Sequence, residues 1–434
     1  MATALAAALL LLFGRPTQHS LRPAAGTAVA RAASDQGSLG QLLAGFSTGD
    51  TAAYVRTLER RVRLDPRDGR TLTLLGLAYQ QRARETGDPT YYGLSARALR
   101  RAADAHGPRA LVVQALASLA NTRHRFRAGL ALARRAVRLD RYNAAAYGAL
   151  GDALLNLGRY RPAFAAYNRM AVLAPGIAGF ARVANARELT GHPAAAIDAL
   201  RLALQADSTV PEQVAWTEVQ LGNVHFNRGE LGAAAAAYTT ALRRFPGYVH
   251  AQAGLARVEA ARGRYAAATR LLHRVVDVLP LPAYVILLGD VRHAAGDERG
   301  ARRQYRLVHA IQRLFAANGV RTELQTALFD LDHGYGVSSA LARARVAYAA
   351  APGIYAEDAL AWGLYRSGRC AQAERHSAHA LRLGTRDALL VFHRGMIERC
   401  LGHRVESQRW LRRALALNPH FSLLWAPVAR RALR

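Results

Sequence analysis

Near the C-terminus, Cys370, His376, His379, His393, Cys400 and His403 gather side chains of the types that ligate soft and borderline metals. His376 and His379 stand three residues apart, which on a helix places them on one face. The cysteines argue against zinc. Closed zinc sites draw on Cys pairs two to four residues apart, whereas these two are 400 − 370 = 30 apart. Two cysteines are also too few for a disulfide framework, and their number says little about redox compartment. The sequence is therefore read as holding no metal and no cofactor. No G-x-S-x-G, P-loop, strand-to-helix G-x-G-x-x-G or H-E-x-x-H occurs, so no catalytic residue is assigned and an enzyme is not expected.

The elements that carry these residues recur. A glycine returns at Gly158, Gly191, Gly229, Gly263, Gly296, Gly334, Gly368 and Gly402, at intervals of 33, 38, 34, 33, 38, 34 and 34. In Tyr147…Leu150-Gly151…Leu154…Gly158…Tyr160…Ala163…Tyr167…Pro175, apolar residues fall three or four apart, break at Gly158 and resume until the proline. That pattern is two amphipathic helices joined by a tight turn, with Gly158 closing the first in the left-handed region and Pro175 ending the second. The frame returns in Leu221-Gly222…Gly229…Tyr238…Pro246, in Leu255…Gly263…Tyr265…Pro280, in Leu288-Gly289…Gly296…Tyr305 and in Gly395…Gly402…Leu411…Pro419. Cys370 takes the place of Tyr160 and Tyr265, so packing accounts for it. Upstream, Leu75-Gly76…Tyr79 and Ala96…Ala103…Pro108 form a unit whose helices are separated by about eight extra residues around Gly87–Tyr92. Residues 110–142 form a degenerate one.

This frame resembles the tetratricopeptide repeat family, whose signature sets a Leu-Gly pair, a Tyr, an Ala, an aromatic and a Pro within 34 residues. The resemblance implies an all-α, right-handed superhelical solenoid of about ten helix-turn-helix repeats over residues 69–420. Residues 31–68 would be an N-terminal helical cap and 421–434 a capping helix, as solenoid ends require. It also implies an inner surface built from first helices, including the residue directly after each Leu-Gly pair. That place reads Asp152, Asn185, Asn223, Arg257 and Asp290, then Trp362 and Met396. Asn side chains can donate to and accept from a peptide backbone together. One turn on lie Phe226-Asn227 and Tyr365, and with Trp216, Phe392 and Trp362 these supply candidate aromatic anchors. The competing reading of the same residues is solvation or packing between first helices. A carboxylate clamp of the chaperone-cofactor type is absent: Asn223 matches, but Val219 and Gly254 stand where the clamp needs a Lys and a second Asn.

Composition fits a repeat scaffold and adds a question. The chain has 434 residues, 59 Lys+Arg, all of them arginine, against 30 Asp+Glu, and a net charge of +29. The pairs Arg100-Arg101, Arg134-Arg135, Arg243-Arg244, Arg302-Arg303, Arg412-Arg413 and Arg430-Arg431 fall mostly near the ends of second helices, where the dipole favours cations. They are expected on a solvated outer wall. Stacking aromatics or a groove-shaped basic helix are not evident, so nucleic acid is not expected as the principal partner. The functional expectation is a non-catalytic scaffold holding a protein or peptide segment in its concave groove. The alternative is an arginine-driven binder of RNA or another polyanion. Residues Met1–Phe13 are apolar apart from Thr3, too short to span a bilayer but suited to the core of a secretory signal, with Ala28-Val29-Ala30 as a cleavage site. A basic start is lacking and Arg15 and Arg22 intervene. If residues 1–30 act as a signal or anchor, the protein is exported or held at a membrane there; otherwise they are a ragged leader and the protein is cytoplasmic.

Overall fold

Alanine-rich amphipathic stretches cut at regular intervals by glycine favour short helical hairpins. A computed structural model describes residues 50–206 and 210–434. The apolar start, the cleavage site and residues 31–49 lie outside the described residues. Twenty-two helices and no strand occur among the described residues. After α1 (Thr51–Leu64) come ten hairpins, units one to ten. They are α2 (Gly69–Thr86) with α3 (Thr90–Asp104), α4 (Arg109–Thr122) with α5 (Phe126–Leu139), α6 (Ala144–Asn156) with α7 (Tyr160–Leu173), and α8 (Ile177–Leu189) with α9 (Pro193–Ala206). Next are α10 (Pro211–Asn227) with α11 (Leu231–Arg244), α12 (Val249–Ala261) with α13 (Tyr265–Val278), and α14 (Pro282–Ala294) with α15 (Glu298–Ala317). The series ends with α16 (Glu323–His333) and α17 (Val337–Ala350), α18 (Ile354–Arg366) and α19 (Cys370–Ala380), α20 (Ala388–Cys400) and α21 (Arg404–Leu417), then α22 (Trp425–Ala432). The chain is the helical solenoid that the repeats imply.

All eight periodic glycines sit in the left-handed region, with φ between 71° and 82°. In the degenerate second unit His124 takes that role at φ 56°. The two 38-residue intervals in the glycine period lengthen helices rather than open loops: α10 has 17 residues and α15 has 20. The first unit corrects the expected insertion. α2 runs for 18 residues to Thr86 and α3 begins at Thr90, so only three residues, Gly87 to Pro89, separate them. The run Gln80–Thr86 is rich in helix formers and continues α2 until Gly87, at φ 69°.

Neighbouring units share cores, as in the cluster that joins Ile197, Trp216, Val219, Tyr238 and Val258 across units four to six. At the N-terminal end Leu58 and Val62 of α1 cover Leu72, Leu75 and Tyr79. The solenoid also closes on itself. Tyr160 and Ile354, 194 residues apart, are joined by a hydrogen bond from the Ile354 amide to the Tyr160 hydroxyl at 2.7 Å. At a ~34-residue period that is about 5.7 units per superhelical turn. The contact is regular. The turn of each of units one to five meets the linker five to six units later: Gly87 meets Leu279 and Leu281, and His124 donates from Nδ1 to the Arg321 carbonyl at 2.6 Å. Gly158 meets Pro352, Gly191 meets Gly384, and Gly229 meets Asn418 and Pro419.

The cysteines also depart from expectation. Cys370, the first residue of α19, is bonded to Cys400, the last of α20, with Cα atoms 6.0 Å apart. That separation is ordinary for a disulfide. Packing in the shared frame therefore does not account for Cys370; it staples units nine and ten.

Two measurements follow. Gly158→Ala and Gly296→Ala both force an alanine into the left-handed region, about 1–2 kcal/mol. A Cβ on Gly158 would also lie 2.5 Å from the Pro352 carbonyl oxygen, while one on Gly296 meets nothing within 4 Å. Gly158→Ala should therefore lower the melting temperature clearly more; equal losses would remove the seam from the energetics. Reduction, or Cys370→Ser, should remove up to about 3–4 kcal/mol for a loop of this length. Because solenoid stability is local, the loss should appear as early hydrogen exchange in α18–α21, with no change around α2–α5.

Candidate functional site

In units three, five and seven, the glycine of the Leu-Gly pair leaves a flat patch on the first helix on which a tyrosine ring of the second helix rests, whereas Gly76 in unit one meets Leu99. A Cβ on Gly222 would stand 2.5 Å from the Tyr238 ring, and Gly151 and Gly289 meet Tyr167 and Tyr305 in the same way. Each phenol then donates to the residue after the glycine: Tyr167 to Asp152 at 3.0 Å, Tyr238 to Asn223 at 2.9 Å, and Tyr305 to Asp290 at 2.9 Å. Burial raises the pKa of all three phenols, so they stay protonated donors. These acceptors continue to the next unit. Asp152 pairs with Arg182 at 2.8 Å, and His333 donates from Nε2 to Asp290 at 2.8 Å. The polar ladder is thus first a set of clasps between units.

What remains for a ligand lies on the inner face, in three adjoining chambers of about 310, 210 and 220 Å³. The largest is mainly apolar, with Leu155, Leu189, Ile286 and Leu328 among its walls. The second is polar. Asn185, Glu188, Asn227, Arg257 and Asp387 converge there. Asn227 donates to Glu188 at 2.7 Å, and burial raises the Glu188 carboxyl. Arg257 lies 4.1 Å over the Phe226 ring and borders the third chamber too, which it shares with Asn223, His250, Tyr284 and Asp290. Burial lowers the His250 imidazole to about 4, so it is neutral at physiological pH.

The structure therefore divides the expected site. Asn185, Asn227 and Arg257 come together. Asn223 and Asp290 reach the third chamber but already serve Tyr238 and Tyr305. Asp152 is sequestered with Arg182, both buried. Trp216, Phe226, Trp362 and Phe392 are at most 4% exposed and belong to the core, so they are not free anchors. Trp362 is stacked on Tyr365 and His393 and met edge-on by Trp425; Met396 packs in the same cluster. Trp362 and Phe392 are covered by the protein's own tail, through Trp425 and Phe421. Residues 418–424 leave the helical path, Asn418 donates to the Phe226 carbonyl at 2.9 Å, and Trp425 donates to Asp332 at 3.0 Å. Leu423 packs beside Leu288 and Val291.

Other charges are likewise committed. His376 and His379 both meet the buried Glu357, His393 meets Asp358 at 2.9 Å and His403 meets Glu398 at 2.8 Å. Among the described residues no group of three or more His, Cys, Asp or Glu is placed to hold a metal ion, and no helix is long and apolar enough to cross a membrane. Sequence reasoning missed Arg182, Glu188, His333 and Asp332. A signal existed for the clasps: each tyrosine follows its acceptor by 15 residues.

Tetratricopeptide repeat models match residues 144–171 and 225–291. No curated protein matches the chain. Among solved structures, the crystal structure of PilW, a widely conserved type IV pilus biogenesis factor, aligns at TM-score 0.39 and 18% identity, covering 47% of this chain and 94% of that one. The crystal structure of MamA aligns at TM-score 0.30 and 20% identity, covering 37% and 92%.

His250 yields a pH test. An unfolded histidine takes up its proton near 6.5, the folded one only at about 4. Between those values the unfolded chain binds more protons, so acidification costs stability, up to about 3 kcal/mol by pH 4. In His250→Gln the loss of stability from pH 7 to 4.5 should be smaller than in the wild type; parallel curves would refute a neutral buried imidazole.

Proposed function

We propose that this chain, which resembles the tetratricopeptide repeat family, is a non-catalytic scaffold that holds a segment of a partner protein along its inner face. The repeats themselves support a protein-interaction role. The observation that carries the finer reading is the chain's own non-helical stretch 418–424, which lies on that face and hydrogen-bonds the backbone at Phe226. Beside it, the Asn185 side chain makes no hydrogen bond to the described residues and Arg257 borders two chambers. A partner backbone would take the Asn185 amide as donor and acceptor together, with Asn227 and Arg257 fixing its register.

The outer wall favours a second reading. All six arginine pairs are exposed, on α3, α5, α11, α15, α21 and α22, and such a surface attracts polyanions.

The full chain should capture a defined partner that stays bound at ~0.5 M salt. Asn185→Ala with Arg257→Ala should cut that capture at least tenfold while circular dichroism and melting temperature change little. Undiminished capture would sink the inner-face reading. Loss of capture through a steep log-linear salt slope, through nuclease, or through Glu at Arg134, Arg135, Arg243 and Arg244 would transfer the function to the outer wall.

A further inference from the structure

The seam that closes the superhelix leaves two complementary edges unused. Units one to five bury their turns against later linkers, whereas the turns of units six to ten do not: a Cβ on Gly263, Gly296, Gly334, Gly368 or Gly402 would meet nothing within 4 Å. On the opposite edge, the linkers between early units are uncovered. Tyr142 is 70% exposed, Pro175 and Pro246 are exposed, and a Cβ on Gly247 meets nothing. The two halves of one seam junction even recur in sequence. Gly158-Arg159-Tyr160 packs on Ala351-Pro352-Gly353-Ile354, and its copies Gly263-Arg264-Tyr265 and Ala174-Pro175-Gly176-Ile177 stand one on each free edge.

We infer that the partner of these edges is a second copy of this chain, whose early linkers dock on the turns of units six to ten and continue the intramolecular seam between molecules. The contact is head-to-tail: two different surfaces meet, so each added copy presents the same free edges again and the assembly grows along the superhelix axis. Its chemistry is that of the internal seam, where glycine turns admit close backbone approach and a tyrosine hydroxyl meets a linker amide. The ends of the solenoid, covered by α1 and α22, are not used. Charge opposes it. A chain of net charge +29 repels its own copies, so added salt strengthens this association, the reverse of its effect on polyanion binding. The inference does not depend on the inner-face reading.

Sedimentation of the full chain from ~1 to ~100 µM, at ~0.05 and ~0.5 M salt, tests it. Two variants divide the edges: Ala295→Arg with Ser367→Arg on the turn edge, and Tyr142→Arg with Pro175→Arg on the linker edge, all at exposed positions. The wild type should grow past a dimer with concentration and further with salt. Each variant, at unchanged melting temperature, should stay monomeric, and a mixture of the two should form dimers and stop, because each retains the edge its partner lacks. A wild type that is monomeric throughout would overturn the proposal. So would variants that associate like the wild type, a mixture without dimers, or assembly dissolved by salt or nuclease.

Discussion

A ring lying on a glycine fixes the middle of the solenoid, in units three, five and seven. Where Tyr167, Tyr238 and Tyr305 rest on Gly151, Gly222 and Gly289, the two helices of a hairpin approach as closely as an aromatic ring and a bare backbone permit. A buried phenol needs an acceptor, and the residue after the glycine supplies it. That acceptor is then met by a donor of the next unit, by Arg182 for Asp152, by Arg257 for Asn223 and by His333 for Asp290. In these three units one contact therefore ties the spacing within a unit to the junction with the next. Small errors in either would accumulate over ten units.

The accumulated rotation decides what kind of inner face exists. Because the coil returns after about 5.7 units at the ~34-residue period, its turns touch and the groove becomes a row of chambers rather than an open cradle. The tail then fills the C-terminal part, with Phe421 on Phe392 and Trp425 on Trp362. Between these closures Asn185 stands out as a polar side chain with no hydrogen bond to the described residues, beside Arg257, which already lies over Phe226 and donates to Asn223.

Hairpin count, turn positions and the inward row of first helices were legible because glycine φ and helical period are local properties. The eight glycines at their 33-, 34- and 38-residue intervals needed no tertiary knowledge. The aromatics were not legible in the same way. Trp216 and Trp362 lie on first helices, as read, but whether such a ring faces the lumen or the neighbouring helix depends on rotation about the helix axis and on a tail that returns across the face. Nor was the disulfide. A separation of 30 in the chain becomes 6.0 Å between Cα atoms only because one residue begins α19 and the other ends α20. His124 shows the opposite case: a histidine where every other turn has glycine is anomalous locally, and its bond to Arg321 explains it globally.

The clasps also sharpen the charge imbalance at the surface. Among the buried residues are five acids, Asp152, Asp330, Glu357, Asp358 and Glu398, but a single arginine, Arg182. Interior positions take the acids because the inward ends of the first helices must meet phenols, indoles and histidines, which donate. Asp332 accepts from both Trp362 and Trp425, and Glu357 from His376 and His379. Drawing carboxylates inward strips the outer wall of its balance, so the surface is more cationic than the sum of +29 conveys. Burial of the acids explains only a small part of the arginine excess outside; most of it is set by composition. A polyanion that adheres to that wall would meet a charge set chiefly by composition and sharpened by the fold.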